Sequence, residues 1–212
     1  MDVREAVQRR RSTRAFEPDT LRMKREEIDD LIVQACLAPS EYNLQPWRFI
    51  VVRDSEKKQV LFECTYRQEK IREAGAVIIV CGDRKGFETA PRVLSDMVAQ
   101  GTVPADQAGP AAESIMRQYQ DSEQAREFLA LRNPCLAAMQ LMLLATERGI
   151  ATCPMGGFSE SELRAAFHIP DHIVPVMLLA MGLPSTAAPQ PPKGMRLPAS
   201  EIIFHETMES SL

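Results

Sequence analysis

The 212-residue chain has no CxxC pair, no Gly-x-Gly-x-x-Gly run and no apolar stretch long enough to cross a bilayer. Each gap closes off a class of function. The five cysteines, Cys36, Cys64, Cys81, Cys135 and Cys153, are odd in number and widely spaced, which suits free buried thiols in a reducing cytoplasm. His168, His172 and His205 are scattered and pair with no cysteine, so no metal site is expected. The missing glycine fingerprint argues against a dinucleotide held in the Rossmann manner. Ser12 and Ser40 lack a GxSxG context, which removes the hydrolase elbow. The start, MDVREAVQRRRSTRAF, carries no apolar run and does not read as a secretory signal. The most apolar stretch, Pro134 to Ala145, is broken by Gln140 and falls short of the roughly 20 residues of a spanning helix. A formal charge of −4 suggests neither nucleic acid nor an acidic tail, and no membrane partner is expected.

What is present suits one soluble domain over residues 1–212, with 45% apolar and 25% charged residues. Asp2 and Glu5 have capping-box spacing and open a first helix. Ile28, Leu31, Ile32, Ala35 and Cys36 fall on one face of a second, which Pro39 stops. Phe49–Val52 and Val77–Cys81 are short β-branched runs that predict buried strands, as do Ile150–Cys153 and Val174–Met181. Residues 84–130 are more polar and predict helices joined by a loop, a variable insertion over the core. Asn133 and Pro134 predict the cap and first turn of a helix ending at Gly149, apolar on nearly every side. Ser159 and Glu162 form another capping box. Residues 184–212 read as an extended, proline-rich arm ending in a strand-like run, Glu201 to Phe204. The class is α+β.

Three basic or glycine-rich stretches and one polar loop could carry chemistry. RRRSTRAF, residues 9–16, concentrates guanidinium donors at a helix end, which suits either a dipole-matched solvated cap or a phosphate site. PMGGF, residues 154–158, puts two glycines after a strand, where they serve either a plain turn or close backbone approach to a flat ligand. Lys193 and Arg196 lie on the arm, solvated or as a second clamp. APSEYNLQPWRF, residues 38–49, sets the only tryptophan behind a polar loop bracketed by prolines.

Taken in order, RRRSTRAF, APSEYNLQPWRF, PMGGF and KGMRLP resemble the FMN-dependent nitroreductase family. The resemblance implies a single nitroreductase-like domain with a central mixed or antiparallel sheet flanked by helices. It also implies a homodimer whose C-terminal arm adds a strand to the partner. It places Arg10, Arg11, Ser12 and Arg14 against the FMN phosphate, ribityl chain and pyrimidine edge, with Lys193 and Arg196 as a second phosphate clamp. KGMR has one more residue between Lys193 and Arg196 than some relatives show. Pro39, Ser40 and Asn43 would come from the partner subunit, in a loop that walls the flavin site with Trp47 packed beneath. Pro154 and Met155 would line the cofactor, and Gly156 and Gly157 would present backbone N–H groups to flavin N5 and O4. Some relatives carry Glu where Gly156 stands, so no side chain acts there. Arg67 and Lys70 would lie on the pyrimidine side. The implied activity is a cytoplasmic flavoprotein oxidoreductase: NADH or NADPH reduces FMN, then a planar acceptor, a nitroaromatic or quinone, enters by a ping-pong order, with no catalytic side chain. The same superfamily includes enone reductases, dehalogenases and flavin-fragmenting enzymes, and a non-enzymatic anion-binding module is the alternative from another class.

Overall fold

In a computed structural model, residues 1–18, 24–188, 190 and 192–208 are described. Helix α1 (Val3–Arg9) is capped by Asp2, whose carboxylate accepts from the Glu5 N–H at 2.7 Å. Then follow α2 (Arg25–Ala35), strand β1 (Trp47–Val52), α3 (Ser55–Cys64), α4 (Lys70–Glu73) and β2 (Ala76–Asp83). A 3-10 turn leads into α5 (Ala90–Ala99), α6 (Ala105–Gln120) and the long α7 (Glu123–Glu147). The chain continues through β3 (Ala151–Met155), α8 (Glu160–Phe167), β4 (Ile173–Gly182) and α9 (Ala199–Ile202). The four strands form one sheet in the order β1-β2-β4-β3, with every neighbouring pair antiparallel. All four expected strands are present, and the class is α+β.

Strand β2 explains the layering, because all eight of its residues are buried. Side chains alternate across a strand, so Val77, Ile79 and Cys81 face Leu61, Phe62 and Leu163 from α3 and α8. Ala76, Ile78 and Val80 face Ile28, Leu31, Ala138 and Leu141 from α2 and α7. A third cluster, with Leu44, Phe87, Leu94, Tyr119 and Leu129, packs α5 and α6 beside the start of α7. Residues 84–130 therefore carry helices, with an apolar core shared with the Leu44 loop.

Helix α7 differs from the sequence expectation. Asn133 and Pro134 lie inside it, and its N-cap is Ser122, which accepts from the Ala125 N–H at 3.1 Å. Pro134 has no N–H for the Ala130 carbonyl one turn back, and its ring pushes that carbonyl aside. The carbonyl meets β2 instead: a Cβ built on Gly82 would lie 1.7 Å from Ala130 O. The missing hydrogen bond is what lets the helix come down on the strand. At 25 residues the helix is also long and apolar enough to cross a membrane by length and composition. Half of its apolar window is buried inside the protein, where it packs against β2 and α2.

Two further expectations change. Glu201 and Ile202 belong to the short α9 behind Pro198, and that helix ends at an extended Ile203, so the strand expected over Glu201–Phe204 is not the conformation of the chain. Without a neighbouring edge to pair with, the backbone satisfies itself locally, with Ile203 N–H donating to Ala199 O at 2.8 Å. Helices α3 and α4 carried no clear apolar period in the sequence. The thiols are free, as expected, but Cys135 is exposed and Cys36 half-buried rather than buried.

Gly82→Ala is expected to cost about 3 kcal/mol or more, because backbone cannot retreat from a methyl group at that position. Urea unfolding of the variant against wild type measures it, and a loss under about 1 kcal/mol would mean that α7 slides freely on β2.

Candidate functional site

The arginine stretch is built by what lies on either side of it. After α1 the chain runs beside β3, with Ser12 bridged in parallel to Thr152 and the Thr13 N–H donating to Thr152 O at 2.9 Å. Phe16, 1% exposed, anchors the far end and pairs with Pro184 beyond β4. With Thr13 and Phe16 buried, Ser12 and Arg14 face outward.

The arm then folds back over this segment. Gln190 Oε1 accepts from the Arg14 N–H at 3.2 Å, and Gln190 Nε2 donates to Ala15 O at 2.9 Å. Beyond that double contact the arm closes a cavity of about 410 Å³ lined by Arg10, Arg11, Ser12, Arg14, Pro192, Lys193, Gly194 and Arg196. Both basic elements expected from sequence thus meet in one place. Among the described residues no carboxylate forms an ion pair with Arg10, Arg11, Arg14, Lys193 or Arg196. Arg9, by contrast, is paired with Glu5 at 2.6 Å. Arg196 is held by backbone alone, donating to Gly194 O at 3.1 Å and Met195 O at 3.0 Å. Five cations around one hollow, in a chain of net charge −4, make a local field that a multivalent oxyanion would neutralise.

The second part of the site is the end of β3. Pro154 and Met155 close the strand, and a Cβ built on Gly156 would meet nothing within 4 Å, so the backbone there is open to a flat partner. Burial pushes the Cys153 thiol up, and the positive charges of Lys70 and Arg14 act in the opposite direction. Lys70 opens α4, and Arg14 lies two residues beyond the bridge of Ser12 to Thr152 in β3. Arg67 is engaged elsewhere: its guanidinium pairs with Glu63 at 3.0 Å on the solvent face. Its neighbour Gln68 reaches the glycines, with Nε2 donating to Gly157 O at 3.0 Å. Sequence reasoning missed Gln68 and Gln190. No periodicity marks Gln68, whereas the lone polar residue of the PQPP run was a readable signal for Gln190.

The third part stands apart. In the loop carrying Pro39, Ser40 and Asn43, the Ser40 hydroxyl accepts from the Gln45 N–H at 3.0 Å. Trp47 is buried beneath the loop against Ala38 and Ala137. Burial pushes the nearby Cys36 thiol up. Trp47 lies opposite Gly82 at one end of β2, whereas Ala76 at the other end lies opposite Met181, next to the start of β3. Six residue steps of strand separate these ends, roughly 20 Å. Pro39, Ser40 and Asn43 are therefore not gathered with the arginine cavity in one chain.

The nitroreductase family model matches residues 7–183. The chain belongs to the nitroreductase family. The Bacillus subtilis protein YodC, provisionally named an NAD(P)H nitroreductase, is 36% identical over 180 residues, covering 85% of this chain and 87% of YodC. An NADH dehydrogenase of Thermus thermophilus is 30% identical over 186 residues, covering 87% and 88%. Among solved structures, a provisionally assigned nitroreductase from Exiguobacterium sibiricum in complex with FMN superposes with a TM-score of 0.87 at 32% identity, covering 97% and 98% of the two chains. The antiparallel sheet and its flanking helices are thus those of this nitroreductase family.

Gln190→Ala removes both hydrogen bonds that the Gln190 side chain makes to the arginine stretch. Trypsin is expected to cut after Lys193 and Arg196 several-fold faster, while global stability falls by only about 1–2 kcal/mol for one exposed and one partly buried hydrogen bond. Unchanged cleavage would mean that something other than Gln190 holds the arm.

Proposed function

We propose that the protein is a homodimeric, FMN-dependent NAD(P)H oxidoreductase acting on planar acceptors such as nitroaromatics and quinones. The observation that carries this reading is the cavity in which five cations and Ser12 converge without a carboxylate; Ser12 pairs with β3, the strand that leads to the open backbone of Gly156. A phosphate dianion fits the first feature and a planar ring fits the second. FMN combines both groups and, when bound, supplies hydride acceptance from the nucleotide and hydride return to the acceptor.

The residues of this chain then have distinct tasks. Arg10, Arg11, Ser12, Lys193 and Arg196 hold the phosphate end through charge-assisted hydrogen bonds. Arg14 and Lys70 set positive charge near the end of β3, where it favours electron uptake by a ring lying there. Gly156 and Gly157 leave backbone N–H groups uncovered, and Gln68 fixes the carbonyl of the second. No side chain is assigned as acid or base. One open face serves the two substrates in turn, a ping-pong order.

The separation of the 38–47 loop from the cavity is the reason for a dimer, since a second copy would bring Pro39, Ser40 and Asn43 to its partner's site. Two surfaces suit that assembly. Helix α7 exposes Phe128, Leu136 and Met139, and the arm exposes Met195, Leu197, Ile202 and Ile203. The free edge of β1 runs along a groove of about 550 Å³ with Phe49 to Val52 in its wall, wide enough to receive an added strand from the partner's arm. Free thiols suit a cytoplasmic setting.

The purified protein is expected to be yellow and to bleach with NADH or NADPH without air. A colourless protein that rejects added FMN would sink the reading. Arg10→Ala should weaken FMN binding by roughly 1.5–3 kcal/mol, tenfold or more in Kd, measured by quenching of flavin fluorescence. For the assembly, ending the chain before Ala199 should lower both dimer content and flavin content in sedimentation runs. A truncated chain that stays dimeric and yellow would remove the arm from the interface.

A further inference from the structure

Three of the seven non-glycine residues with left-handed φ among the described residues fall within four positions: Tyr42 at 49°, Asn43 at 56° and Gln45 at 49°. Side chains with a Cβ disfavour that region, so such a turn persists only where its surroundings over-determine it. The residue just before it, Glu41, supplies the ties. Its N–H donates to Asn133 Oδ1 at 2.9 Å, its Oε2 accepts from the Tyr119 hydroxyl at 3.0 Å, and its Oε1 lies 3.5 Å from Asn133 Nδ2.

Both partners are themselves buried and held by further contacts. Asn133 is 2% exposed and locked by donation from Nδ2 to Leu129 O at 2.8 Å within α7. Tyr119 on α6 is 1% exposed, its ring stacked on Phe87 with centroids 5.7 Å apart and edge-on to Tyr42 at 6.5 Å. A second strut joins the Tyr42 hydroxyl to Gln118 Oε1 at 3.1 Å. A phenylalanine at position 119 would fill the same apolar space. The hydroxyl–carboxylate link adds nothing to the core; what it adds is a fixed backbone for the loop.

We propose that Glu41 is a positioning residue: with Tyr119 and Asn133 it clamps the left-handed turn to α6 and α7, and so sets the wall that each subunit presents to its partner's FMN. The helices of residues 84–130 thereby act on a flavin they do not themselves touch. This rests on the FMN reading above. Cutting the clamp leaves the arginine cavity intact and lets the loop sample other conformations, and the apparent Kd rises in proportion as the competent fraction falls.

The test uses flavin-free full-length protein and the only tryptophan, which sits at the end of this loop. Glu41→Ala and Tyr119→Phe are each expected to raise the FMN Kd about five- to tenfold and to increase acrylamide quenching of Trp47, whereas Glu41→Gln, which still accepts from Tyr119, stays within about twofold of wild type. Tyr119→Phe keeps the buried ring, so the fold survives even if Glu41→Ala loosens it. Wild-type and variant Kd values that agree within twofold would overturn the clamp while leaving the flavin reading in place. Wild-type protein that takes no FMN would overturn both.

Discussion

Much of the structure depends on one close approach, the Ala130 carbonyl of α7 against the Cα of Gly82 in β2. Two residue choices make it: a proline that leaves the carbonyl without its helical donor, and a glycine that leaves room for it. From that contact α7 is set on the sheet, and the rest of one face follows. Ala137 lies under Trp47, Leu129 closes the cluster of α5 and α6, and Asn133 reaches Glu41. A core helix that was merely apolar would leave its rotation and height on the sheet unspecified. The carbonyl contact fixes both.

Charge is distributed as unevenly as packing. The chain is acidic overall, yet the residues around the Arg10–Arg196 cavity are cations without acidic partners among the described residues. Most other arginines on the surface are matched, as Arg48 is with Asp83, Arg84 with Glu127 and Arg164 with Glu160. Unmatched like charges repel, so their gathering costs stability that a bound oxyanion would offset. Gln190 holds the arm in place without adding charge of either sign, which preserves the imbalance.

The sheet imposes the remaining constraint. Its long central strand keeps the tryptophan loop and the arginine cavity at opposite ends, and no side chain spans that distance. In the proposed dimer this is an advantage: each flavin is held by charge from one subunit and walled by shape from the other, so dimerisation and cofactor binding support one another. The loop can afford a left-handed turn because α6 and α7 hold it from behind.

The sequence alone determined the elements whose signal is local. The short β-branched apolar runs became β1 to β4, the capping residues Asp2 and Ser159 stand where their carboxylate or hydroxyl can reach a helix N–H, and the order of four motifs carried the family. The clustering of Arg10, Arg11 and Arg14 around one cavity was also legible, because those residues are near in sequence. Tertiary structure decided what depends on a distant partner. Pro134 reads as a helix start because proline has no N–H; only Gly82, fifty-two positions earlier, makes it a tolerable interior residue. Arg67 and Gln68 are adjacent in sequence and equally polar, yet one turns to Glu63 and the other to Gly157. The Ile202 region reads as a strand by composition, but a strand needs an edge to pair with, and in the single chain the backbone closes on itself instead. Local backbone preference is written in neighbouring residues, whereas the partner of a hydrogen bond or a methyl-sized gap is set only once the chain has folded.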